Sequence, residues 1–323
     1  MEWKNAPIDT STKQLLARLD EKLRKLNQSR PIPAAALHRI KEGLAIEWTY
    51  NSNSIEGNTL TLQETKLVLQ DGITVKGKSL REHFEAVNHQ DAVDYIESIA
   101  KPNYIINEHD ILHTHELVLD KIEKDFAGRF RNSGVRITGA NFTPPNALKV
   151  YDYVHELMHW VNKESDDMHT LVRATIFHHR FVWIHPFFDG NGRTVRLLFN
   201  LLMMKDGYPP AIILRNDRKK YYAALNRANE GDYSKLLLLV CQAMERSLDI
   251  YLSNLDNYAE DYKPIGNIVN EGLVPYGYSQ EYISLLARRG EIDAYKEGRV
   301  WYTTEDAIHD YVKAIKTTRK PKV

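Results

Sequence analysis

Residues 168–184 are apolar on nearly every side, with Leu171, Val172, Ala174, Ile176, Phe177, Phe181, Val182 and Trp183 leaving no polar stripe. A helix of that kind has to be surrounded by other elements, so it predicts the centre of a helical bundle. His178 and His179 inside it then read as core or capping groups rather than ligands. Directly after it comes Ile184-His185-Pro186-Phe187-Phe188-Asp189-Gly190-Asn191-Gly192-Arg193-Thr194-Val195-Arg196. Val195, Leu198, Phe199, Leu202 and Met203 follow at helical spacing, which predicts a second helix with one apolar face. A central helix, a tight glycine turn and a second helix therefore form the nucleus of the fold.

The turn carries the chemistry. Gly190, Asn191 and Gly192 sit where a loop feeds a helix N-terminus. Glycines there let backbone N–H groups approach a ligand, and the helix dipole favours negative charge. Arg193 and Arg196 are three apart and can face one anion, with Thr194 and Val195 between them in the same first turn. Together residues 190–196 make a cradle for polyphosphate. Asp189 can hold the Mg²⁺ that accompanies a nucleotide, because hard cations prefer carboxylate oxygen. His185 is the side chain suited to taking a proton near neutral pH.

HPFFDGNGRTVR matches the pattern His-x-Phe-x-(Asp/Glu)-Gly-Asn-Gly-(Arg/Lys)-x-x-Arg at every fixed position, and on it the chain resembles the Fic (Fido) family of protein adenylyltransferases. The resemblance implies a mainly α fold, a helical core with a β-hairpin flap, and transfer of AMP from ATP to a Ser, Thr or Tyr hydroxyl of a target protein. It implies His185 as general base, Asp189 on Mg²⁺, and Asn191 with the Gly190 and Gly192 amides on phosphate oxygens. Arg193 would neutralise the β-phosphate and Arg196 the γ-phosphate, while Phe187 packs the loop. The relative called Doc phosphorylates and has Lys at the second glycine position. Gly192 here leaves room for the AMP-donating orientation.

Ser52-x-x-x-Glu56-Gly57 matches the inhibitory motif of many Fic proteins, here N-terminal to the core. Without the resemblance, Glu56 is a solvated last-turn residue ahead of the helix stop Gly57-Asn58. With it, Glu56 pairs with Arg196 and removes the γ-phosphate anchor. Two other functions compete: a nucleotide-sensing DNA-binding regulator, and a hydrolase that removes AMP with Glu56 positioning water.

Thr61-x-x-Glu64 and Ser79-x-x-Glu82 have the capping-box form. Residues 107–122 read as a helix whose His113-Thr114-His115 is structural or at the surface. In 128–145, Val135 and Ile137 alternate with Arg136 and Thr138 around a glycine bend, which predicts a short hairpin with an exposed edge. It resembles the flap that docks the target's backbone, around residues 134–145, and Thr138, Gly139 and Ala140 are assigned to the nucleotide site. Tyr221 and Asn229, two helical turns apart, make a purine and ribose pocket.

Near the C-terminus, a helix over 279–290, a hairpin turning at Glu297-Gly298 and a final helix look like a small winged helix-turn-helix. Its charges are mixed, so DNA and a protein partner are equal expectations. The division expected is 1–100 (regulatory helices), 101–255 (catalytic core) and 256–323 (winged helix). Lys+Arg and Asp+Glu both total 43, so net charge favours neither nucleic acid nor a membrane. Cys241, the one cysteine, sits in an apolar run and reads as a buried free thiol. No signal pattern or membrane-length apolar stretch occurs, which points to the cytoplasm; a homodimer stays open.

Overall fold

Local signals set most helix boundaries. Thr61 and Ser79 each accept from the backbone N–H three residues on, while Glu64 and Glu82 reach back, so both capping boxes form. Asn107 and Asp110 make a third. The computed structural model describes residues 3–4, 6–255, 262–274, 278–297 and 299–318. Among these, the helices are α1 (Thr10–Gln28), α2 (Ala34–Glu56), α3 (Leu62–Asp71), α4 (Leu80–Ile99), α5 (Glu108–Leu119), α6 (Val150–His159), α7 (Thr170–Ile184), α8 (Asn191–Met204), α9 (Arg218–Ala228), α10 (Ser234–Ser253), α11 (Ile265–Asn270), α12 (Gln280–Arg289) and α13 (Glu305–Thr318). No helix among the described residues is long and apolar enough to cross a membrane.

The chain divides into two units, residues 1–7 with 38–243 and residues 8–37 with 244–323. In the first, α7 is central as its composition predicts: Leu171, Ala174, Ile176, Phe177, Phe181 and Ile184 are fully buried. α8 is more enclosed than its one apolar face suggested. It packs against α4, α5 and α7, and its residues from Arg193 to Met203 are all buried. Cys241 is buried and in no disulfide.

The expected flap hairpin is not a strand ladder. The chain reverses at Ile137–Ala140, where the Ala140 N–H donates to the Ile137 carbonyl at 3.3 Å and Gly139 has φ 81°. The flanking segments run without pairing to one another. A two-stranded ribbon with no third strand or packed face is marginal, and here side chains hold the loop instead.

In the second unit, β1 (Lys263–Pro264), β2 (Ala294–Glu297) and β3 (Val300–Thr303) form an antiparallel sheet in the order β1-β3-β2. Ile265, Ile268, Ile283, Leu286, Ile292 and Ile308 form its core. α11 and α12 with the β2–β3 wing give the expected winged arrangement; the turn residue Gly298 lies outside the described residues. α1 belongs here, so residues 8–37 group with the C-terminal module rather than with the 1–100 region suggested by the sequence. Buried Lys22 reaches Asp249 at 2.6 Å and Asp293 at 2.5 Å, and Arg18 reaches Glu245 at 2.7 Å. Charges this far from water are costly when left unpaired, so separating α1 from these partners is disfavoured.

Candidate active site

α7 ends at His185, which is forced into the left-handed region at φ 50°, ψ 62°. A non-glycine residue there is uncommon, and the bend swings the following loop back over the bundle. Asn191 closes that loop: its Nδ2 donates to the Phe187 carbonyl and its Oδ1 accepts the Phe187 N–H, both at 2.9 Å. The Asn191 amide is thus spent on the loop rather than pointing at a ligand. Phe187 is fully buried and stacks on His115 with centroids 3.6 Å apart.

His115 is a further loop anchor. The Gly128 N–H donates to Nδ1 at 3.0 Å, which leaves the proton on Nε2 to donate to the Asp189 carbonyl at 3.0 Å. Gly190 is required beside it: φ is 74°, and an added Cβ would crowd the imidazole at 3.3 Å. This is the structural role expected of His115, although its partner, 74 residues away, leaves no local signal in the sequence.

Arg193 and Arg196 are both buried, and Arg196 Nη1 and Arg193 Nε have no hydrogen-bond partner. Buried donors of this kind are costly unless an acceptor arrives, which suits an anion. Arg193 lies 3.4 Å from Glu85 and 3.6 Å from Asp189. Thr194 and Val195 point into the core, so only their backbone faces the cradle. Asp189 is half-exposed, accepts from the Gly190 N–H at 2.7 Å and pairs with Arg81 at 3.0 Å. A half-exposed carboxylate beside two buried arginines is a donor that would suit Mg²⁺, which takes one or two carboxylates and completes its shell with phosphate and water.

The carboxylate of Glu56, the last residue of α2, meets Arg196 Nη2 at 2.7 Å. Ser52 contributes twice, its Oγ accepting from Nε at 3.1 Å and its carbonyl from Nη2 at 2.9 Å. A Cβ on Gly192 would run into Glu56 Oε1, so the bare glycine is the seat of the carboxylate. The helix end is pinned by neighbours: Arg218 Nε donates to the Ile55 carbonyl at 2.7 Å, and Asn58 Nδ2 to the Glu82 carbonyl at 3.0 Å. Gly57 then leaves the helix at φ 108°.

Tyr221 is sealed, 1% exposed, with its hydroxyl 3.0 Å from His178 Nε2. It lies close to Arg196 and Glu56 but offers no ring face to a ligand; its neighbour Tyr222 is only partly buried. Asn229 bridges His179 Nε2 at 2.8 Å and Asn141 at 2.8 Å. Thr138 and Gly139 are exposed and Ala140 is partly so. The Gly139 carbonyl accepts from Asn226 at 3.1 Å, which ties this bend to α9.

A family model described as the Fic/DOC family matches residues 105–203. A protein adenylyltransferase Fic from Drosophila virilis is 36% identical over 268 residues, which is 83% of this chain and 55% of that protein. One from Nematostella vectensis is 36% identical over 250 residues, 76% of this chain and 57% of that protein. The solved structure of Fic-1 from C. elegans superposes with a TM-score of 0.68 at 31% identity, covering 75% of this chain and 72% of that one. The chain belongs to the Fic family. It spans about half the length of the curated relatives it matches.

Burial holds five histidines of this Fic core neutral. His89 is pushed down to about 3, and His115, His179 and His185 to about 4, by removal from water first and by nearby arginines. His178 is depressed well below its usual value for the same reason. In the unfolded chain these rings take up protons near 6.5, so between about pH 6.5 and 4 the unfolded state binds more protons. Stability is therefore full above that window and lost as pH falls through it. The melting midpoint is expected to drop by about 10 °C between pH 7 and 5, on the order of 5 kcal/mol. A midpoint that stays level in a thermal series over that range would mean the rings are charged in the fold.

Proposed function

We propose that this chain is a protein adenylyltransferase held back by its own Glu56. His185, neutral at physiological pH, takes the proton from a Ser, Thr or Tyr hydroxyl of a target protein. The freed oxygen attacks the α-phosphorus of ATP, and pyrophosphate leaves. The N-terminus of α8 and the two buried arginines hold the phosphates, Arg193 on the β side and Arg196 on the γ side. Asp189 would hold Mg²⁺, which supplies neutralising charge to the phosphates when bound. The loop over 134–145 receives the target beside His185.

The observation that supports this reading is the contact of Glu56 with Arg196 at 2.7 Å, over Gly192. A carboxylate there repels a phosphate and takes its anchor. The test is incubation of the Glu56→Gln protein with ATP labelled at the α-phosphate and a cell lysate. Label is expected on protein, and label at the γ-phosphate is expected to be released. Transfer of γ-label instead would make the protein a kinase.

A further inference from the structure

We infer that Arg131 is a positioning residue that ties the target-receiving loop to His185; this rests on the AMP-transfer reading of the site. Arg131 is 2% exposed, and its guanidinium donates only to main-chain carbonyls. Nε reaches His185 O at 2.8 Å, Nη1 reaches Ser133 O at 2.9 Å, and Nη2 reaches Pro145 O at 2.6 Å and Ile184 O at 3.4 Å. Its own N–H donates to Pro186 O at 2.9 Å. Among the described residues no carboxylate pairs with it.

A buried cation without a counter-ion is costly, so its retention needs a reason. Geometry supplies one. Ser133 and Pro145 are the two feet of the 134–145 loop, and the same flat fork that gathers them also grips the carbonyls of Ile184 and His185. Five donors in one plane can do this; the ammonium of lysine cannot hold all these directions at once. His185 occupies a left-handed conformation that persists only when its surroundings over-determine it. The guanidinium and the Pro186 bond provide that constraint. Arg131 thus sets the spacing between the loop that receives the acceptor and the imidazole that deprotonates it. The phosphate cradle is anchored separately, by Asn191 and His115.

The test compares Arg131→Lys and Arg131→Ala with their parent, Glu56→Gln. It measures AMP transfer, affinity for a non-hydrolysable ATP analogue, and amide hydrogen exchange over 133–145, 184–188 and 191–203. A displacement of about 1 Å at a reacting pair costs roughly 10²-fold. Arg131→Lys is therefore expected to lower kcat by about tenfold to 10²-fold, with analogue affinity within about threefold and 191–203 still protected. Exchange should rise in 133–145 and 184–188 together. Unchanged kcat, exchange rising in only one of the two segments, or an equal fall in analogue affinity would each overturn the inference. If Arg131→Ala loses global stability, Arg131→Lys, which keeps charge and stem, carries the comparison. A parent that fails to transfer AMP would reject the functional reading alone, because the joint rise in exchange still decides the role of Arg131.

Discussion

Replacing Glu56 with glycine is expected to raise AMP transfer at saturating ATP by about 10- to 100-fold while changing ATP affinity little. A hydrogen bond to a charged group is worth about 1.5–3 kcal/mol, and every 1.4 kcal/mol is a factor of ten in rate. Glu56 is about a third exposed, which places its effect toward the lower end. With the carboxylate on Arg196, the proposed reading has ATP entering with its γ-phosphate displaced and its α-phosphate out of line for attack. Glu56 is the terminal residue of α2, so glycine there removes little helix stability. Glu56→Gln keeps the length and removes the charge, and is expected to recover most of the gain. Equal rates for wild type and both variants would return Glu56 to an ordinary helix end. Loss of an AMP-removing activity in the same variants would favour the hydrolase instead.

In the Glu56→Gly background, His185→Ala is expected to lower transfer by about 10²–10⁴-fold, the usual contribution of a general base. ATP affinity should persist, because the groups facing the phosphates lie beyond Asp189. Alanine tolerates the left-handed backbone poorly, so His185→Asn serves as the conformational control. Both variants should be equally slow. The free enzyme's transfer rate should stay flat from pH 8 down to about 6, since His185 is already deprotonated there. A parallel collapse of ATP binding, measured by titration with the analogue, would make His185 part of the cradle.

Much of this was legible in the residues because it was local. The enclosed α7, the two capping boxes, the turn at Gly190 and the helix stop at Gly57 each depend on neighbours within a few positions. What escaped depends on distance along the chain. His115 and Arg131 act on carbonyls 74 and 54 residues away, and carbonyls leave no mark in a sequence. Asn191 looked like a phosphate ligand but spends its amide on Phe187 four residues back. Tyr221 and Asn229 are eight apart, yet one is sealed with its hydroxyl on His178 and the other, just past the helix end, is bound to His179 and Asn141. The grouping of α1 with the C-terminal module rests on Lys22 and Arg18, whose partners lie more than two hundred residues on.

If Glu56 blocks the site as proposed, its competition with nucleotide is intramolecular, because blocker and cradle belong to one chain. A tethered group acts at an effective concentration of millimolar or above, whatever the amount of protein. Raising ATP within that range therefore loads the pocket without clearing Arg196. What clears it is a shift in the last turn of α2, a turn held by Arg218 on the Ile55 carbonyl and by Asn58 on α4. On the proposed reading, release is therefore governed by whatever loosens such contacts around the helix end, and the concentration of ATP has little hold on it.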